Sequence, residues 1–300
     1  MGGAASGPTR AAIFWVELAH GGRRLAGGTI AGGPSELLAE DLTLDAVLAR
    51  PGGFAEALAA PALAAWPQRQ LLRGHRPLAP VQSQEVWAAG VTYRRSREAR
   101  LAESQSGTDL YARVYDASRP ELFFKSPGWR VRGPGEPIRV RADSGWDVPE
   151  PELGVVLDAT LTPVAYVIGN DVSSRSIEGE NALYLPQAKI YDGACALGPA
   201  LVPVGAVDPP FAIRLEISRQ GRPLFAGETS TELMKRPVED LVAYLGRELR
   251  FPHGCVLLTG TGIVPPDDVT LRPGDLVRIQ IDGLGALVNP VEERPGPGAP

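Results

Sequence analysis

The chain has 300 residues, 44% of them hydrophobic, with 30 Lys+Arg against 35 Asp+Glu and a net charge of −5. That length and apolar content suffice for one large domain, or for a large one and a small one. A slightly acidic chain with no long basic run argues against nucleic acid or an anionic membrane surface as main partner, and no apolar stretch approaches the ~18 residues of a membrane-spanning helix.

Residues 1–80 read as a small α+β unit. The apolar run at residues 11–16 is too short for the core of a signal peptide, so a cytoplasmic location is expected. Residues 11–18 and 23–30 have the pattern of a hairpin. Residues 42–48 and 54–66 look helical, the second with Leu58, Leu63 and Trp66 along one face. An Arg- and Pro-rich stretch at 71–80 then leads into a second unit, residues 81–300. Strand signals dominate there, at 86–91, 138–140, 153–157, 164–168, 212–217, 256–259 and 276–281. They are punctuated by turns, as 35 Gly and 29 Pro imply. Helical patterns are few, at 96–103, 110–116 and 238–249, the last after Pro237. The expected class is α+β, dominated by strands.

Two cysteines, Cys195 and Cys255, and three scattered histidines, His20, His75 and His253, exclude a disulfide framework and the usual zinc motifs. Only three of the 30 basic residues are lysine: Lys125, Lys189 and Lys235. A chain that uses arginine almost everywhere keeps lysine where a compact, deprotonatable amine is wanted, which nominates all three.

The densest chemistry lies in Trp146-Asp-Val-Pro-Glu-Pro-Glu-Leu-Gly-Val-Val-Leu157. In an extended strand, Glu150 and Glu152 project from the same face, about 7 Å apart. The apolar run behind them places the pair at the border of a core. If residues 153–157 and 161–169 form an antiparallel hairpin about a short turn at 158–160, Glu150 faces Gly169 or Asn170. Asp171 then emerges at the same open end. Three carboxylates within reach of one ion suit octahedral Mg²⁺ or Mn²⁺. The competing reading is two solvated edge charges and an aspartate capping a turn. Lys189, between apolar residues, is either a surface lysine or a partner of this cluster. Thr259-Gly-Thr-Gly262 follows a strand and can offer amides and a hydroxyl to an anion, or be a plain turn. No G-x-G-x-x-G fingerprint, P-loop or G-x-S-x-G elbow is present.

These pieces resemble the fumarylacetoacetate hydrolase superfamily over residues 81–291. They are Glu150-Pro-Glu-Leu, Gly169-Asn-Asp-Val-Ser-Ser-Arg175, Gln187-Ala-Lys189 with Leu197-Gly-Pro199, and Thr259-Gly-Thr-Gly262. Pro273-Gly-Asp275, Ile281-Asp-Gly-Leu-Gly285 and Leu287-Val-Asn289 complete the set. The resemblance implies a small N-terminal domain and a C-terminal domain of rolled, mixed β-sheets. It also implies Mg²⁺ on Glu150, Glu152 and Asp171, with Mn²⁺ or Ca²⁺ as substitutes, and Lys189 near the substrate. A homodimer or homotetramer is expected on the same ground. The superfamily's C–C hydrolases carry Asn-Tyr-x-x-His at a strand end. Here that stretch is Gly90-Val-Thr-Tyr93-Arg94-Arg95-Ser96, with serine in place of the histidine, and a hydroxyl cannot replace imidazole as a base near pH 7.

Arg119-Pro-Glu-Leu-Phe-Phe-Lys125, the 146–153 segment and the 177–189 segment are instead similar to the 2-keto-3-deoxy-pentonate dehydratase branch. The reaction this implies is dehydration to 2,5-dioxopentanoate. Lys189 is then the first choice for the base and Glu121 for the acid, with Glu121 as the second choice for the base. Burial beside Phe123 and Phe124 could raise the Glu121 carboxyl; a purely structural pairing of Glu121 with Arg119 or Arg113 is the alternative. Ser96, Ser126, Thr261 and Arg94 are candidates for substrate binding, and Glu178 and Glu180 for a lid. Competing activities on the same site are hydrolysis of acylpyruvates or diketo sugar acids, decarboxylation and tautomerisation. A sugar-acid binding protein without turnover is the reading from another class.

Overall fold

The apolar run at the middle of the chain becomes the Pro151–Leu157 strand, buried at every residue. Its two faces feed two cores: Leu153, Val155 and Leu157 join one cluster and Val156 the other. A strand covered on both sides has no reason to alternate with polar residues. In the computed structural model, which describes residues 12–18, 22–39, 41–60, 64–65, 76–94 and 110–293, this strand lies inside an eleven-stranded mixed sheet.

It pairs antiparallel with Pro163–Asp171 on one side and Cys255–Leu258 on the other. Cys255–Leu258 runs parallel to Glu85–Gly90, which pairs antiparallel with Glu121–Ser126. In the opposite direction, Pro163–Asp171 pairs with Cys195–Pro203, and that strand with Ala12–Glu17. The ladder therefore crosses the expected boundary at residue 80 without a break, and Arg23–Thr29 and Gly33–Leu37 extend the same sheet.

A second sheet is built from Ala212–Arg219, Arg222–Ser230, Asp275–Ile281, Gly285–Glu293 and Ile138–Val140. Its Ile213, Leu215, Ile217, Val277 and Ile279 share a core with Leu153, Val155 and Ile168. The opposite face of the first sheet, at Val156, Val167 and Leu258, is covered by Leu44, Val47 and Leu48 of one short helix and Phe54 of the next. The strand-dominated α+β expectation holds. Among the described residues, no helix is long and apolar enough to cross a membrane.

Several expected boundaries are corrected. The helix expected at 54–66 is Gly53–Ala59; Ala60 is extended, with ψ 141, as a residue before proline prefers, and Ala64–Ala65 pairs with Gly33–Leu37 instead. Trp66 and the helix expected at 96–103 lie outside the described residues. Leu110–Asp116 is helical as expected, and the helix expected at 238–249 stops at Leu245.

The hairpin register also shifts. Glu152 faces Gly169, and the Asp171 amide donates to the Glu150 carbonyl at 3.0 Å, so Glu150 faces Asp171 and not Gly169 or Asn170. The turn is longer than the sequence suggested: the second strand starts at Pro163, Leu161 has φ 63, and a bulge follows Val156. Asp158 closes the turn by accepting from the Thr160 and Thr162 amides at 2.9 and 3.1 Å.

Leu257, fully buried on the Cys255–Leu258 strand, is a sensitive point of this packing. Leu257→Ala should lower the unfolding free energy by about 2–5 kcal/mol, whereas Leu233→Ala, at an exposed site, should change it by less than about 0.5 kcal/mol. Chemical denaturation of the two variants checks this; equal losses would contradict the assignment of Leu257 to the core.

Candidate metal centre and active site

Strand alternation and the corrected register put Glu150, Glu152 and Asp171 on one face at the open end of the hairpin. Their carboxylate oxygens lie within 4.8 Å of one another. All three residues are buried, which excludes the reading as solvated edge charges. Glu152 Oε2 accepts from the Gly260 amide at 2.6 Å. Burial pushes the Glu152 carboxyl well above the usual carboxylate range; the charges of Asp171 and Glu150 add to the rise, and Lys189 and the Gly260 amide oppose it. Three oxygen donors in mutual reach, one of them costly to ionise without a cation, fit a hard divalent ion.

Cations already surround the triad. The Lys189 ammonium, at the end of the Leu185–Lys189 helix, donates to Glu150 Oε2 at 2.8 Å, Asp171 Oδ2 at 2.9 Å and Ser173 Oγ at 2.6 Å. Arg175 begins the Arg175–Glu180 helix, whose N-cap is Ser174, and its Nη1 lies 3.1 Å from Glu150 Oε1 and 3.7 Å from Glu178 Oε2.

Lys125 comes from the Glu121–Ser126 strand. Val86 faces Ser126 while Trp87 faces Phe124, so Lys125 is the extra residue of a bulge, a device that re-aims a side chain. Fully buried, its Nζ lies 2.5 Å from Asp171 Oδ1 and donates to the carbonyls of Val172 and Lys189 at 3.0 and 2.5 Å. It therefore ties one carboxylate of the triad to the backbone that carries Lys189.

Lysine scarcity picked out Lys125 and Lys189, yet it also nominated Lys235, which pairs with Asp116 at 2.6 Å on the surface. Nothing in residue spacing singled out Arg175. The short helices of the 175–189 segment were missed as well, because five or six residues are too few to display a helical period.

One cavity joins these groups to the rest of the expected site. Glu121, Phe123 and Gly90 form one part of its wall; Glu150, Asp171, Arg175, Glu178 and Lys189 form another; Thr261 closes it. The Lys189 ammonium lies 5.6 Å from the centre of the Phe123 ring. Thr261 Oγ1 accepts from the Ile263 amide at 3.2 Å.

Two of the expected substrate contacts are not on this wall. Ser126 is buried at the far end of its strand, about 16 Å from Glu121 at 3.3 Å per residue, and its hydroxyl donates to the Pro127 carbonyl at 3.0 Å. Arg94 is exposed and is not among the lining residues. Ser96 lies outside the described residues. Both cysteines are buried free thiols, and burial pushes Cys195 up to about 12, which makes it a poor nucleophile.

Asp147, three residues before Glu150, is buried, and desolvation lifts its carboxyl to about 6 against opposing hydrogen bonds from Ser144 and Arg141. The folded chain keeps this proton to higher pH than the unfolded chain. The group therefore stabilises most below its unfolded value of 3.8, and that stability is lost as pH rises toward 6. Across this window the Asp147 contribution should fall by at most about 1.4 kcal/mol per pH unit. Asp147→Asn should remove it, and unfolding free energies measured at several pH values will show whether it does.

Fold and site together belong to one superfamily. Residues 85–292 match the fumarylacetoacetate (FAA) hydrolase C-terminal family, and the chain is a member of it. Among the relatives, the "Probable 2-keto-3-deoxyxylonate dehydratase" of Haloferax volcanii is 50% identical over 214 residues, 71% of this chain and 73% of that one. The 2-dehydro-3-deoxy-D-arabinonate dehydratase of Saccharolobus solfataricus is 45% identical over 220 residues, 72% of this chain and 74% of that one. The solved structure of 2-keto-3-deoxy-D-arabinonate dehydratase complexed with magnesium and 2,5-dioxopentanoate superposes with a TM-score of 0.81 at 36% identity, covering 94% of this chain and 99% of that one.

Proposed function

We propose that this chain is a Mg²⁺-dependent hydro-lyase that converts a 2-keto-3-deoxy-pentonate to 2,5-dioxopentanoate. The observation that carries the reading is one cavity holding an amine, Lys189, and a separate carboxyl, Glu121, beside the triad of Glu150, Glu152 and Asp171. No histidine is among the described residues that line it, which disfavours the imidazole-dependent hydrolysis of related enzymes. The named activities of the relatives, and the product bound in one of their structures, support the same substrate class.

Glu150, Glu152 and Asp171 would hold Mg²⁺, which would supply Lewis-acid polarisation of a 2-keto group. Lys189 would first give up its own proton, as a divalent cation beside it favours, and the free amine then takes the proton from C3. Glu121 delivers a proton to the C4 hydroxyl as the C4–O bond breaks, and water leaves. Loss of one proton from the C5 carbon and one from the C5 hydroxyl, with return of protons at C3 and C4, completes the isomerisation to the aldehyde. Thr261 hydrogen-bonds a polar group of the substrate, and Phe123 limits the access of water to the enol. A cytoplasmic location belongs to the same reading, as does a homodimer or homotetramer, the latter resting on the family resemblance alone.

The test incubates the protein with Mg²⁺ and synthetic 2-keto-3-deoxy-pentonates of both C4 configurations, reading aldehyde through a coupled semialdehyde dehydrogenase. Aldehyde formation is expected. Pyruvate without aldehyde would instead mark C–C cleavage, and released CO₂ a decarboxylase. Glu152→Gln should abolish turnover and weaken metal binding by at least about 10–100-fold; a variant that keeps both would remove Glu152 from the centre.

A further inference from the structure

Gly90 ends the Glu85–Gly90 strand and pairs directly with Glu121 on the neighbouring antiparallel strand. Residues opposite one another in such a pair project from the same face, so the Glu121 side chain rises beside the Gly90 Cα. It then folds over that Cα: a Cβ at position 90 would meet Glu121 Oε2 at 2.2 Å, Cδ at 2.6 Å and Cγ at 3.2 Å. Both residues line the cavity.

Glycine weakens a strand, so its place here needs a reason. Backbone conformation is not that reason. Gly90 is outside the left-handed region, and the positive φ at this strand end, 53°, falls on Val91. Nor would a methyl group strike a neighbouring backbone, because all three nearest atoms belong to the end of the Glu121 side chain. What glycine supplies at position 90 is the room in which that carboxyl sits.

We propose that Gly90 is a positioning residue for the reaction, its bare Cα setting the Glu121 carboxyl at the depth in the cavity from which it reaches the leaving hydroxyl. This rests on the assignment of Glu121 as the acid. Oε2 stands 2.2 Å from the position of the missing Cβ, where ordinary contact begins at 3.4 Å. Alanine would therefore drive the carboxyl away by about 1 Å, a misplacement that typically costs on the order of 10²-fold in rate. The displaced atoms are mobile, so the strand and the metal centre stay in place.

The experiment uses the Mg²⁺-loaded enzyme and compares the wild type, Gly90→Ala, Glu121→Gln and the double variant. It reads kcat and KM for a 2-keto-3-deoxy-pentonate, Mn²⁺ affinity by electron paramagnetic resonance, and the unfolding midpoint. Gly90→Ala should lose about 10²-fold in kcat with Mn²⁺ affinity and midpoint unchanged. The double variant should be no slower than Glu121→Gln, because Gly90 acts only through that carboxyl. Full turnover by Gly90→Ala beside a crippled Glu121→Gln would overturn the role of Gly90 alone. So would multiplicative losses in the double variant, a fall in Mn²⁺ affinity matching the fall in kcat, or failure of Gly90→Ala to fold. Wild-type turnover by Glu121→Gln would instead overturn the acid assignment, and with it the role of Gly90.

Discussion

Three carboxylates held within 4.8 Å of one another and away from water repel, and the architecture around them answers that repulsion. A buried charge without a partner costs several kcal/mol. Here the compensation arrives from three elements: Arg175 and Lys189 from two successive short helices after the hairpin, and Lys125 from a strand reached through another part of the sheet. The cations cover the triad unequally. Lys189 and Arg175 hold Glu150, and Lys125 and Lys189 hold Asp171, while Glu152 has the Gly260 amide. Burial pushes the Glu152 carboxyl far upward, and the charges of Asp171 and Glu150 add to the rise.

Sheet and site are two aspects of one packing decision. The face that bears Val156, Val167 and Leu258 under the Leu44–Leu48 helix also carries Glu152 and Asp171 where the strands end. Aliphatic side chains give way to carboxylates at the rim of the same apolar layer. The low polarizability of that layer strengthens every ion pair at the site and raises the cost of leaving one unmade.

Much of this was legible in the residues because period-two alternation leaves a mark. Glu150 and Glu152 share a face, and a continuous apolar run announces a strand buried on both sides. The ladder was misjudged because bulges and a left-handed residue in a turn leave no periodic trace; Leu161 reads as an ordinary strand residue yet belongs to the turn. The same blindness hid the aim of Lys125, whose direction comes from an irregularity in pairing and not from its position along the strand. Ser126 looked equally suitable on paper. Its short side chain at the far end of the strand cannot do what the neighbouring lysine does with four methylenes. Strand spacing and the hairpin reading brought the triad together and the family resemblance implied its Mg²⁺, but the burial that makes it a set of chemical partners came only with the fold.

The hydrogen bond from the Gly260 amide to Glu152 spans 108 residues of chain. During synthesis from the N-terminus, both glutamates, Asp171 and Lys189 all emerge before the Cys255–Leu258 strand that must slot between Glu85–Gly90 and Pro151–Leu157. A nascent chain thus carries its acidic groups without the Gly260 amide until the Cys255–Leu258 strand arrives. Such late, non-local pairing slows folding. It also means that a ribosome-bound fragment, however long, lacks the closing wall of the cavity until that segment is in place.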